Sequence, residues 1–117
     1  MATQVITSAT KLSLMKYTPF EIHKNSVKGP WVIICDHASN YVPNSVADGK
    51  LGINESEMKR HIAFDIGAKG LALELGKNLD APVVCSNFSR LVIDPNRGEK
   101  DPTLVMQLYD GTIIPAN

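Results

Sequence analysis

Apolar and polar positions along the chain change period several times, and each change marks an element. "PWVIICD", residues 30 to 36, is a continuous apolar run of strand length, rich in β-branched residues, which predicts a buried strand covered on both faces. "ASNYVPNSVADGKLG" follows as a long loop with turn chemistry, and Pro43 keeps residue 42 out of a helix. Asn54, with Glu57 three residues later, has the form of a capping box. The next stretch, "ESEMKRHIAFDIGAKGLALELGKNL", carries Met58, Ile62, Ile66 and Leu73 at near-helical spacing and predicts a long helix. Gly67 and Gly70 within it mark either close backbone packing or a break.

"APVVCSNFSRLVIDPNR" then predicts two short strands, 82 to 86 and 89 to 94, the second stopped by Pro95. Strand, helix, strand in this order predicts an α/β unit with some parallel pairing. Asp110-Gly111 signals a turn, and the apolar "TIIP" after it reads as an unfinished end with nothing following to cover it. Residues 1 to 16 read as a flexible tail and residues 17 to 117 as part of one α/β domain.

Composition narrows the function classes. The 117 residues are 44% hydrophobic and 21% charged, which fits one globular domain. Twelve basic residues balance twelve acidic ones, so no global field draws nucleic acid or an anionic membrane, and a small-molecule ligand is the expected partner. No apolar run approaches the ~20 residues of a membrane span and no secretory signal is legible, so the expected address is the cytoplasm. Cys35 and Cys85, each inside a predicted strand, read as buried thiols.

Three clusters could carry chemistry. In open α/β sheets ligands collect beyond the carboxyl ends of strands, where Asp36 and His37 stand, with Ser39 and Asn40 close behind. Imidazole suits a metal and a neighbouring carboxylate can orient it, but one Asp-His pair is common, and on this stretch alone the favoured reading is that Asp36 and His37 simply tie down the loop. His61 and Asp65, four apart, share one face of the predicted helix, and Asp65 lies in an apolar stretch where a carboxylate needs a partner. "SRLVIDPNR" brackets Asp94 with Arg90 and Arg97, which suits either recognition of a substrate carboxylate or an internal salt bridge pinning the turn.

Taken in order, "CDHASNYVP", "RHIAFDIGAKG", "SRLVIDPNR" and "DGTIIPAN" resemble the N-formylglutamate amidohydrolase family from about Trp31 to the last residue. The resemblance implies a three-layer sheet with helices on both faces, like the zinc-dependent exopeptidase (phosphorylase/hydrolase-like) fold, incomplete in this chain. It implies hydrolysis of N-formylglutamate, or a related N-acyl amino acid, to formate and glutamate by a metal-activated water. His37 and Asp65 become the implied zinc ligands, Asp65 and Asp36 the catalytic carboxylates, and Arg90, Asp94, Asn96, Arg97, Ser39 and Asn40 the substrate-binding set. Asn40 stands where related exopeptidases carry an anionic ligand, so that metal pair is incomplete. Family members are more than twice as long, which leaves a second reading: a truncated, non-catalytic binding module, or part of a larger assembly formed by self-association or with a separate C-terminal half.

Overall fold

The computed structural model describes residues 16 to 24 and 29 to 117, so the expected tail lies almost wholly outside the described residues. Three strands form the main sheet: β1 (Phe20–His23), β2 (Ile33–Cys35) and β3 (Val83–Ser86), in the order β1-β3-β2. β2 runs parallel to β3, with Ile33 opposite Val83 and Cys35 opposite Cys85, while β1 is antiparallel to β3. The expected parallel pairing is present. It requires a crossover, which contains α1 (Glu55–Met58) and α2 (Ala68–Asn78).

α2 lies on one face of the sheet. Cys35, Ala72, Val83 and Cys85 are buried together there with Ile33, Ala68 and Leu73 packed around them, because period-2 alternation sends these β2 and β3 side chains to the same side. Among the described residues the opposite face has no helix on it. Phe20, Ile22 and Ile34 are exposed there, so the expectation of a strand covered on both faces holds for one face only. The two cysteines are buried, unbridged register partners, and burial pushes both thiols up.

The long helix expected over 55 to 79 is two helices separated by turns. Asn54 caps α1 by accepting from the Glu57 amide at 2.9 Å, but the Glu57 carboxylate does not close the box; it takes Arg60 and the Thr112 hydroxyl instead. Between the helices the backbone bonds to other segments: the Asp65 amide donates to His37 O, and Ala63 O accepts from the Arg90 amide and the Ser89 hydroxyl. Those bonds replace the i to i−4 ladder. Gly67 then enters α2 at φ +85°, a left-handed conformation that favours glycine, so of the two marked glycines it is the break.

The close approach belongs to Gly76. A Cβ there would lie 2.2 Å from Val83 Cγ2 and 3.1 Å from Ala81 O, whereas one on Gly70 would meet nothing within 4 Å. Gly76→Ala is therefore expected to destabilise by about 1–3 kcal/mol through overpacking. Gly70→Ala, in the same helix, is expected to stabilise by up to ~1 kcal/mol through helix propensity. Urea denaturation of both variants checks the pair; equal shifts of the same sign would contradict the packing.

The predicted strand at 89 to 94 is also a loop. Ser89 donates through its amide to Tyr41 O, Val92 closes a turn back to Ser89 O, and Asp94 donates to Leu104 O, so no ladder forms. Leu91 instead enters a second core with Val42, Leu51, Ile62, Ala63, Met106 and Ile114. The Asp110-Gly111 turn is present between β4 (Leu108–Tyr109) and β5 (Thr112–Ile113), with both turn residues at positive φ. Of the apolar end expected to be uncovered, Ile113 is exposed while Ile114 is buried in this second core.

Candidate active site

His37 follows β2 by two residues, at φ +55°, and its ring turns inward to complete burial. Its Nδ1 lies 3.2 Å from Asp65 Oδ2 and its Nε2 lies 2.6 Å from Asp94 Oδ1. Arg90 closes the circuit: Nη1 donates to Asp65 Oδ1 at 3.2 Å and Nη2 to Asp94 Oδ2 at 2.8 Å. Four side chains from three separate segments thus form one ring. Each nitrogen of the one imidazole thus faces its own carboxylate, and the Arg90 guanidinium faces both.

The two carboxylates differ. Asp94 is fully buried and also accepts the Asn96 amide at 3.0 Å. Burial pushes its pKa up, but the hydrogen bonds from His37, the Asn96 amide and Arg90 outweigh burial and hold it below the ordinary aspartate value. Asp65 has 49% of its side chain exposed, so it is the face of the ring that solvent, and a substrate, can reach. Arg90 lies over the Tyr109 ring at 5.2 Å, and its Nε is buried with no partner among the described residues.

The other expected site residues fall around this ring in different ways. Arg97 is half-exposed, with Nε 3.8 Å from Asp94 Oδ2, and keeps the rest of its fork free of the ring. Arg90 has both terminal nitrogens on the two aspartates, so the internal bridge between Arg90 and Asp94 is real. Asp36 is half-buried, and its carboxylate has no hydrogen-bond partner among the described residues; it lines clefts on both sides of β2, one of them shared with Asn96. Ser39 accepts the Tyr41 amide, and Asn40 donates to Met58 O, so both side chains tie down the loop. His61 is exposed beside Asp110, away from Asp65, since no helix joins them.

Two supporting residues carry no local signal in the sequence. Ser89 is fully buried, donating to Ala63 O and accepting the Leu91 amide, which sets the backbone that carries Arg90. Tyr109 supplies the aromatic face under Arg90.

Zinc, implied by the family resemblance, can be tested against this geometry. Asp65 and Asp94 lie against opposite nitrogens of the His37 ring, so they cannot converge with one nitrogen on one ion, and the Arg90 guanidinium bridges both carboxylates. Among the described residues no group of three or more His, Cys, Asp or Glu side chains is placed to hold a metal ion. These residues do not fit zinc by themselves.

The model of the N-formylglutamate amidohydrolase family matches residues 29 to 117, the N-terminal part of the family domain, and so takes in the whole ring. The chain belongs to that family. Among solved structures it is similar to a gene product from Agrobacterium tumefaciens, at 30% identity and a TM-score of 0.76. The match covers 84% of this chain and 38% of that one, so this chain corresponds to well under half of that protein. No curated protein matches the chain.

Proposed function

We propose that the ring is the carboxylate side of a hydrolase site that cleaves the formyl amide of N-formylglutamate or a related N-acyl amino acid. The observation that carries this reading is Asp65: a half-exposed carboxylate, held by His37 and Arg90, next to the end of a parallel strand. In a family hydrolase such a group can act as general base. Water attacks the acyl carbon as its proton passes to Asp65, the C–N bond breaks with the proton returning to nitrogen, and formate and glutamate leave. Arg97, with Asn96, would anchor a substrate carboxylate, because its fork is freer than that of Arg90. Asp36 stands as a second carboxylate at the clefts beside β2.

Zinc would require donors from outside the described residues, and none of these steps runs through it. The complete domain, on this reading, takes the three-layer form with helices on both faces, in the cytoplasm.

Release of formate from N-formylglutamate, beside a panel of N-acetyl amino acids, tests the reading. Asp65→Asn is expected to lower kcat about 100-fold or more with little change in KM, the range for loss of a general base. Arg97→Gln should raise KM instead. Undiminished turnover by Asp65→Asn would sink the assignment. The second reading, a binding module or part of a larger assembly, is favoured by Arg90, whose guanidinium is already paired with both Asp65 and Asp94. Binding of N-formylglutamate without turnover would select it.

A further inference from the structure

The β4–β5 hairpin has only two residues in each strand, and so short a pair does not hold its place unaided. Its base is anchored where the Ile114 amide donates to Gln107 O and the Ile114 side chain enters the second core. Its tip is gripped by Arg60. Nη2 donates to the Asp110 carboxylate at 2.7 Å, while Nη1 donates to the Glu57 carboxylate at 2.6 Å and to the Thr112 hydroxyl at 3.0 Å. That hydroxyl donates in turn to Glu57, so the hairpin is tied to α1 as well.

Tyr109 lies between these holds, with Thr112 as its ladder partner and Asp110 as the next residue. Its phenol packs 5.2 Å from the Arg90 guanidinium, and the His61 imidazole, itself 3.3 Å from Asp110, stands 6.3 Å from the same phenol. The Arg90 side chain is only 12% exposed and spends both terminal nitrogens on Asp65 and Asp94, while its Nε is buried with no partner among the described residues. No hydrogen bond therefore fixes the stem side of the fork. The aromatic face is what it rests on.

We propose that Arg60 and Tyr109 are positioning residues: Arg60 fixes the hairpin tip, the tip sets the phenol under Arg90, and Arg90 so held keeps Asp65 in place. The Arg60 side chain has no hydrogen bond to any of the four ring members among the described residues, so its influence on them passes through packing at Tyr109. The inference concerns how the ring is held. Only its kinetic consequence rests on the hydrolase reading.

The Nε–Hε resonance of Arg90, followed by NMR in the full chain, tests it, because a proton beside an aromatic face is displaced by the ring current. Tyr109→Leu is expected to move that resonance to the position of a free arginine and to speed its exchange with water about tenfold, the scale of a cation–π contact. Tyr109→Phe should keep the wild-type values, since it keeps the face. Arg60→Gln should reproduce the change made by Tyr109→Leu, and adding it to Tyr109→Leu should change nothing more. If Arg60→Gln disturbs the whole fold, Asp110→Asn weakens the same grip from the hairpin side and should shift the resonance in the same direction. In release of formate from N-formylglutamate, Tyr109→Leu and Arg60→Gln should each lower kcat about tenfold with KM unchanged. A resonance indifferent to Tyr109→Leu, or to both Arg60→Gln and Asp110→Asn, overturns the proposal, and so do additive effects in the double variant. A displaced resonance with wild-type kcat overturns the link from Arg90 to Asp65. A wild-type chain that releases no formate counts against the hydrolase reading alone, and the Arg90 resonance still decides this one.

Discussion

Asp94→Ala is expected to lower the free energy of unfolding by about 3–5 kcal/mol, the cost of breaking a buried ion pair by removing one partner. Asp94 is 0% exposed and serves His37 Nε2, Arg90 Nη2 and the Asn96 amide at once. Alanine would leave all three donors facing an apolar gap. Against a typical total of about 5–15 kcal/mol, a loss of that size leaves a marginal fold. Urea denaturation followed by circular dichroism measures it, and wild-type stability in the variant would mean that the ring contributes nothing to the fold.

The same residue sets a pH dependence. Because the folded pKa of Asp94 is depressed, the folded state binds fewer protons than the unfolded state as pH falls toward the acid range. The contribution is therefore complete above the unfolded value of about 3.9 and is lost as pH falls through the depressed folded value. Asp94→Asn should flatten that part of the stability curve, since asparagine does not titrate there.

Leu91→Ala is expected to cost about 2–5 kcal/mol, through lost burial and the cavity left behind. Leu91 is fully buried among Val42, Leu51, Ile62, Ala63, Met106 and Ile114, and it lies between Arg90 and Asp94 in the chain. The cavity would thus slacken the segment that supplies two of the four ring members. The His37 ring resonances should shift along with the denaturation midpoint. Ile34→Ala, at a 72% exposed position, is the control and should remain within about 0.5 kcal/mol. Equal costs at the two positions would contradict the described core.

Much of the fold could be read from short-range pattern. The strand at 33 to 35, the cap at Asn54, the strand at 83 to 86 and the turn at Asp110-Gly111 all depend on neighbours within a few residues, and all are present. The errors share one cause. The 59 to 66 segment has a helical period but donates and accepts backbone bonds with residues 37, 89 and 90, and the 89 to 94 segment has β-rich composition but no strand partner among the described residues. Local propensity is overruled wherever distant segments satisfy the backbone better.

By itself the sequence determined the residue types of the site: an Asp and a His at a strand end, a carboxylate in an apolar stretch, and two arginines bracketing an aspartate. It also carried the family, because ordered motifs survive without any knowledge of contacts. What only the tertiary structure decided is who touches whom. His37 bonds to residues 28 and 57 positions away, Arg90 is held inside the ring while Arg97 remains freer, and Asp65 rather than Asp94 opens to solvent. Hydrogen bonds and burial are set by distances in space, and chain spacing constrains those distances only within a turn or a strand.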